Sequence, residues 1–222
     1  MTVLVAGGTG FLGNAVVREL IGSGYDVAAT WVVERERERL EAEPVSLIEA
    51  DLFDADQVGA AISKVDQLEA VINLVGGYSD GPRVHETDPD DFERMLRLNV
   101  MPCFLLARAA MPSLIERGGG AFVGVSARPA LRPFAGAAGY ISSKAAVLAL
   151  VQALDAEYKG DGIRCNVILP SVIDTPANRE AMPGADYSKW VPPEQIAKVV
   201  RFLVSDDSAP TSGAGIPVYG RA

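Results

Sequence analysis

Short β-branched runs alternate with longer amphipathic stretches along the whole chain. "TVLVAG" reads as a buried strand and "FLGNAVVRELIGSG" as a helix closed by glycine. "DVAATWVV", the charged "ERERERLEAE", "VSLIEA" and "DADQVGAAISKV" follow, and "LEAVINLVGG" forms a fourth strand. "DDFERMLRLNVMPCFLLARAAMPSLIERGGG" is a long helical region ended by glycines. "AFVGVS" is a fifth strand, "AGYISSKAAVLALVQALDAEYKGDG" a long helix and "IRCNVILP" a sixth strand. "PPEQIAKVVRFLVSD" is a further helix and "GIPVYG" a last short strand. Strands apolar throughout, separated by helices, predict a parallel sheet covered on both faces. Right-handed crossovers make this an α/β, Rossmann-type doubly wound parallel sheet, one domain over residues 1–222. "ERERERLEAE" reads as a solvated helix face with opposite charges three or four residues apart.

Composition narrows the partners. The 222 residues carry a formal charge of −9 and no basic stripe, which argues against nucleic acid. No apolar run is read as reaching bilayer length, and "MTVLVAGGTG" enters the fold without a cationic leader, so no membrane is expected and a cytoplasmic location is. Cys103 and Cys165 lie in apolar contexts without metal-ligand spacing and read as reduced core residues; no metal is expected.

"VAGGTGFLG" sets Gly7, Gly10 and Gly13 between a strand and a helix, with Thr9, Phe11 and Leu12 in the same turn. A dinucleotide site needs glycine for a tight turn, for backbone approach to pyrophosphate and for helix–sheet packing; the helix N-terminus then offers N–H groups to phosphate. After the third strand, Asp51 either meets an adenine, with Leu52 beside it, or shares with Asp54 the role of helix cap. The backbone of Gly76 and Gly77, ending the fourth strand, would lie beside a cofactor ribose. At the end of the second strand an acidic residue would select NAD; Trp31 stands there instead, flanking adenine or covering the sheet edge. Either NADP or NAD is compatible, and the missing acid tilts the choice to NADP.

Tyr140 and Lys144 lie one helical turn apart and share a face. An ammonium beside a phenol favours phenolate, so the tyrosine pKa is expected to fall and the pair to exchange the proton that accompanies hydride transfer. Thirteen residues before Tyr140, where a serine would complete such a site, stands Ala127, with Ser126 one place early. The site is therefore dead, served by a serine that a bulge brings round, or devoted to a reaction that needs no serine.

Over nearly its whole length the chain resembles the short-chain dehydrogenase/reductase family, through "AGGTGFLG", "NLVGG", "LRLNVMPCFLLARA", "YISSKAAVLALVQAL", "IRCNVILPSVIDTP", "PPEQIAKVVRFLVSD" and "SGAGIPVYG". The resemblance implies that Tyr140 is the general acid/base, that Lys144 also bonds the nicotinamide ribose, and that Asn99 supports a water relay; a local helix-capping role for Asn99 is the alternative. It further implies a carboxamide-holding turn at Pro170, Val172, Ile173 and Thr175, although the usual Pro-Gly is here Pro170–Ser171. One branch, the dihydropteridine reductases, is more similar still: it carries alanine at the serine position, and its substrate loop resembles "DTPANREAMPGADYSKW", within a loop of about residues 174–192. That branch differs in having an aspartate where Trp31 stands, a tryptophan where Tyr78 stands, and no counterpart of Asn99.

These features imply an NAD(P)H-dependent reductase of a small, planar, conjugated substrate such as a quinonoid dihydropterin, whose reduction forms no alkoxide for a serine to stabilise. A carbonyl or 3-oxoacyl thioester reductase using Ser126 is the alternative, and a non-catalytic dinucleotide-binding protein a third reading. Tyr78 either stacks on a flat substrate or caps a loop, and Trp190 either closes the pocket or packs the last helix. His85, in a polar loop, is assigned no chemistry. The two long helices carry more apolar surface than one sheet face needs, which implies self-association as dimer or tetramer.

Overall fold

In the computed structural model, which describes residues 2–221, the alternation of apolar runs resolves into seven parallel strands. They are β1 (Thr2–Ala6), β2 (Asp26–Trp31), β3 (Val45–Glu49), β4 (Leu68–Asn73), β5 (Gly120–Val125), β6 (Ile163–Pro170) and β7 (Gly215–Val218), in the spatial order 3-2-1-4-5-6-7. The helices are α1 (Phe11–Gly22), α2 (Glu34–Arg37), α3 (Ala55–Ser63), α4 (Pro89–Arg117), α5 (Ala138–Tyr158), α6 (Pro176–Ala181) and α7 (Pro193–Val204).

The period of two along each strand divides the core into two layers. Val3 and Val5 of β1 and Val123 of β5 pack with α1 and α7 through Val16, Leu20, Ile196 and Leu203. Leu4, Ala6 and Phe122 point the other way, onto Leu106, Met111 and Leu114 of α4 and Val147 and Val151 of α5. Both faces are covered, so the strand interiors are largely apolar, with Arg164 and Asn166 of β6 as exceptions. Chain order reverses on either side of β1, which opens a crevice beyond the ends of β1 and β4, where ligands of such sheets bind.

Two expectations change. The "ERERERLEAE" tract is not one solvated helix: α2 is a single turn, followed by a 3₁₀ turn over Glu38–Leu40, because Leu40 is driven into the α1 layer and pulls the charged turns against the sheet. The apolar character of α4 exceeds the expectation. An 18-residue stretch of it has a mean hydropathy of 1.5, enough by length and composition to span a bilayer, yet half of that stretch is buried against the sheet and α5, as in a core helix. α4 begins at Pro89 behind an Asp88 cap and ends at Gly118 in the left-handed region, the terminators that its sequence announces.

One polar residue inside the core positions the site. Thr30, 1% exposed near the end of β2, accepts a hydrogen bond at Oγ1 from the Gly7 N–H at 3.1 Å. Gly7 itself has φ +77°, a conformation that glycine adopts without strain. Thr30→Val keeps the β-branched shape but leaves that N–H unpaired; we expect a loss of about 1–3 kcal/mol in denaturant unfolding, with weaker dinucleotide binding by fluorescence titration.

Candidate active site

The candidate site residues, apart from those on α4 and α5, lie at or after the carboxyl ends of strands on this one edge. After β1 the chain turns through Gly7–Gly10, where the Gly10 N–H donates to the Gly7 carbonyl at 3.2 Å, and enters α1 at Phe11 and Leu12. A Cβ on Gly13 would lie 2.1 Å from the Gly7 oxygen, and one on Gly8 2.6 Å from the Ala29 methyl group, so helix, loop and sheet meet at distances only glycine allows. Gly8 was not singled out from the sequence; its adjacency to Gly7 was the available signal. α1 has neither a side-chain cap nor an acidic first turn, whereas Asp54 caps α3 and Asp88 caps α4. Uncapped N–H groups at a glycine turn fit a pyrophosphate.

The adenosine side is built from β2 and β3. Trp31 is half-buried and carries the Arg37 guanidinium 5.5 Å above its ring. Arg39, unnoticed in the charged tract, donates to the Thr9 carbonyl at 2.8 Å and lies 4.6 Å over the Phe11 ring, so it is held against the glycine loop. Both arginines also pair with glutamates of their own tract, Arg37 with Glu34 and Glu41 and Arg39 with Glu36. Of the two roles open at Asp51, the helix cap goes to its neighbour Asp54. Asp54 caps α3, while Asp51 accepts from the Phe53 N–H at 2.9 Å. Leu52 is 6% exposed and belongs to the core with Val58 and Ile62.

Asn99 sits at the centre of the catalytic side. Fully buried in α4, it accepts from the Gly77 N–H at 3.0 Å and donates from Nδ2 to the Gly77 carbonyl at 3.1 Å and to Ser143 Oγ at 3.0 Å. A Cβ on Gly76 would meet Asn99 Oδ1 at 2.5 Å and Lys144 Nζ at 2.9 Å, which explains the bare backbone there. Asn99 thus ties separate elements together, beyond any local capping of its own helix through the 3.3 Å contact with the Met95 carbonyl.

The electrostatics depart from expectation. Tyr140 is pushed up to about 12 by burial, with no ammonium contribution. Lys144 is 6% exposed, donates to the Val125 carbonyl at 3.1 Å, and is pushed down to about 8, again by burial. The ammonium is directed at a backbone carbonyl and not at the phenol, so desolvation governs both groups. At neutral pH the phenol holds its proton and the lysine is mostly charged.

Ser126 is not brought round. The β5–β6 register runs uninterrupted from Gly120 to Val125, and the Ser126 N–H continues it onto the Ile168 carbonyl at 2.9 Å. Its hydroxyl points inward, 2% exposed, and donates to the Lys144 carbonyl at 2.7 Å. Ala127, extended at φ −159°, comes next. Tyr78 meets Tyr140 edge-on, with ring centroids 4.9 Å apart, and its hydroxyl donates to Asp80 at 2.8 Å. The two tyrosines are neighbours; the ring of Tyr140, with Asp80, Asp91 and Met95, lines a cavity of about 50 Å³.

After Pro170, Ser171 occupies the turn without a left-handed backbone, its hydroxyl donating to the Tyr219 carbonyl at 2.9 Å. Val172 accepts from the Val191 N–H at 2.9 Å, the Ile173 carbonyl from Asn178 Nδ2 at 2.8 Å, and Thr175 caps α6 through the Asn178 N–H at 3.2 Å. The loop beyond is internally braced: Arg179 makes a bidentate pair with Asp174 and lies 4.9 Å over Tyr187, whose ring is 4.6 Å from that of Trp190. Trp190, 8% exposed, is a strut of this loop and offers little surface to a pocket. Among the described residues no cluster of three or more histidine, cysteine or acidic side chains is arranged to hold a metal.

Comparison with known proteins gives this geometry a context. The chain is 28% identical to 2-(R)-hydroxypropyl-CoM dehydrogenase of Xanthobacter autotrophicus, over 98% of this chain and 96% of that protein. It is likewise 28% identical to the 3-oxoacyl-[acyl-carrier-protein] reductase MabA of Mycobacterium bovis, over 99% and 91%. Among solved structures, a blue fluorescent protein from a metagenomic library in complex with NADPH superposes with a TM-score of 0.87 at 29% identity, covering 100% of this chain and 97% of that one. Residues 1–186 match the short chain dehydrogenase family itself. With the seven-stranded sheet, the glycine turn, buried Asn99 and Lys144 and half-buried Tyr140 in place, the chain belongs to the short-chain dehydrogenase/reductase family of oxidoreductases.

Proposed function

We propose that this oxidoreductase uses NADPH, or NADH less well, to reduce a planar, conjugated acceptor such as a quinonoid dihydropterin. One observation carries this reading: the only serine near the expected position turns its hydroxyl inward onto the Lys144 carbonyl, leaving Ala127 beside the site. A substrate that takes hydride into a conjugated ring develops no localised alkoxide, so it needs no such hydroxyl. When bound, the nicotinamide supplies the hydride. The chain's own residues hold and move the proton. Burial keeps the Tyr140 phenol protonated, which suits a donor in the reductive direction. The Lys144 ammonium donates to the Val125 carbonyl and has N–H bonds left for a ribose hydroxyl. The glycine turn and the uncapped start of α1 receive the pyrophosphate. The preference for NADPH rests on Trp31 in place of an acid, with Arg37 and Arg39 at that end of the crevice.

The second reading, an ordinary carbonyl reductase or its reverse, is supported by the names of the relatives. The experiment is oxidation of NADPH and NADH with and without freshly generated quinonoid dihydropterin. We expect turnover above the spontaneous rate, faster with NADPH, and Ser126→Ala within about twofold of the parent. Activity on a 3-oxoacyl thioester that Ser126→Ala abolishes would establish the alternative.

Lys144 provides a pH test. Its folded pKa of about 8 lies below the ordinary 10.5, so between these values the unfolded chain binds the extra proton and stability rises with pH. Below pH 8 the full cost of a buried charge stands, up to roughly 3 kcal/mol. Lys144→Met is expected to melt higher than the parent below pH 8, with the difference closing toward pH 10.5, and to lose turnover at every pH. Tyr140, whose folded value is raised, acts in the opposite sense only above about pH 10.

We further infer self-association through α4 and α5. The outer face of α5 is only partly polar: Ala149, Ala153 and Ala156 are exposed on it beside Ser142, Gln152 and Glu157, and Met101 and Phe104 of α4 are 38% and 45% exposed. The groove lined by Leu96, Val100, Met101 and Ala146 also carries Asp90, Glu93, Arg94 and Arg97, both signs on one patch, as a two-fold contact requires. Light scattering should report a dimer or a tetramer, and Phe104→Glu a smaller species.

A further inference from the structure

The carboxamide of Asn99 has one partner that the proposed chemistry leaves unexplained. Ser143 lies immediately before Lys144 and is completely buried. Its Oγ accepts from Asn99 Nδ2 at 3.0 Å and donates to the carbonyl of Tyr140 at 2.8 Å. α5 starts at Ala138 behind Ala137, with no side-chain cap and no acidic first turn, so its own end is weakly held. Across the same amide, Asn99 grips both backbone groups of Gly77. A continuous chain of hydrogen bonds, buried at Asn99 and Ser143, therefore runs from Gly77 beyond β4, through α4, to the first turn of α5. Within it Ser143 is the one side chain that joins Asn99 to the segment carrying the tyrosine.

We propose that Ser143 is a positioning residue that fixes the height of Tyr140 above the Gly76–Gly77 ledge. A serine hydroxyl at this point can accept from the amide and donate to the carbonyl at once, which neither alanine nor valine can do. In its absence Asn99 keeps Gly77, so the ledge stays, but the first turn of α5 is free to shift against it. Reaction geometry is sensitive on that scale: a displacement of about 1 Å can cost on the order of 100-fold in rate. The inference rests on the reading of Tyr140 as proton carrier, and the test separates the two.

Parent protein, Ser143→Ala, Ser143→Thr and Tyr140→Phe are compared on whichever of quinonoid dihydropterin or a 3-oxoacyl thioester is turned over. Dinucleotide affinity comes from fluorescence titration, and amide exchange is followed by mass spectrometry over residues 74–80 and 138–146. We expect Ser143→Ala to lower kcat about tenfold or more, to leave the cofactor Kd within about twofold, to alter the pH–kcat profile and to speed exchange in 138–146. Ser143→Thr, which keeps the hydroxyl, should recover most of kcat. An unchanged kcat and pH profile in Ser143→Ala, beside an inactive Tyr140→Phe, overturns the role of Ser143 alone. Equal losses of kcat and cofactor affinity that threonine does not recover mean packing only and also overturn it. Full activity in Tyr140→Phe removes the proton reading and this inference with it. If neither probe is turned over, exchange decides: parent-like rates in 138–146 of Ser143→Ala overturn the proposal.

Discussion

The Asn99 carboxamide engages the chain beyond β4 through Gly77 and α5 through Ser143, while its backbone belongs to α4. The same segments also meet through Tyr78 and Tyr140, and through the Gly81 N–H, which donates to the Gly136 carbonyl at 2.7 Å. β4 ends at Asn73 and runs on as irregular chain, and α5 begins without a cap. In an interior of low dielectric, an amide with satisfied partners is a strong constraint, and leaving any partner unpaired is costly. The arrangement of Gly76, Lys144 and Tyr140 stems from it, because Gly76 has room only for hydrogen where Asn99 Oδ1 and Lys144 Nζ converge.

A second constraint comes from the sheet. Strands buried on both faces carry almost no polar side chains, so recognition and chemistry gather at their carboxyl ends, where the chain leaves the sheet. Several exceptions inside are bonded to that edge: Thr30 holds Gly7, Ser126 the Lys144 carbonyl, and Asn73 the Val75 N–H at 3.1 Å, whereas Asn166 of β6 ties down the chain before β7 through Thr211 and Ala214. Burial also sets the proton chemistry. The same desolvation that raises the Tyr140 phenol lowers the Lys144 ammonium, giving a proton held by one group and a charge held reluctantly by its neighbour.

The strands and long helices were legible in the sequence because β-branched runs and apolar periodicity act locally and are repeated many times. So were Gly7, Gly10 and Gly13 at a strand–helix junction and Tyr140 and Lys144 at one-turn spacing, while Asn99 was marked only by the family resemblance. Thr30 and Ser143 were not, since each looks ordinary in its own window and acquires meaning from a partner 23 or 44 residues away. Arg39 was hidden in a tract whose composition suggested solvent. The sense of the tyrosine shift was misjudged for a related reason: one-turn spacing establishes a shared face but not where an ammonium is directed, and the Val125 carbonyl that receives it lies on another element.

The strand order has a consequence for how the chain folds. β1, the earliest of the seven strands in chain order, lies third in the sheet, with Val5 beside Ala29 on one side and Ile72 on the other. Its second neighbour lies more than sixty residues downstream, so that pairing must wait for a long loop to close. Until β4 arrives, β1 presents an open, apolar edge of the kind that joins other chains as readily as its own. During synthesis, the segment from β1 to α3 is therefore the stretch most dependent on prompt pairing with the strands made after it.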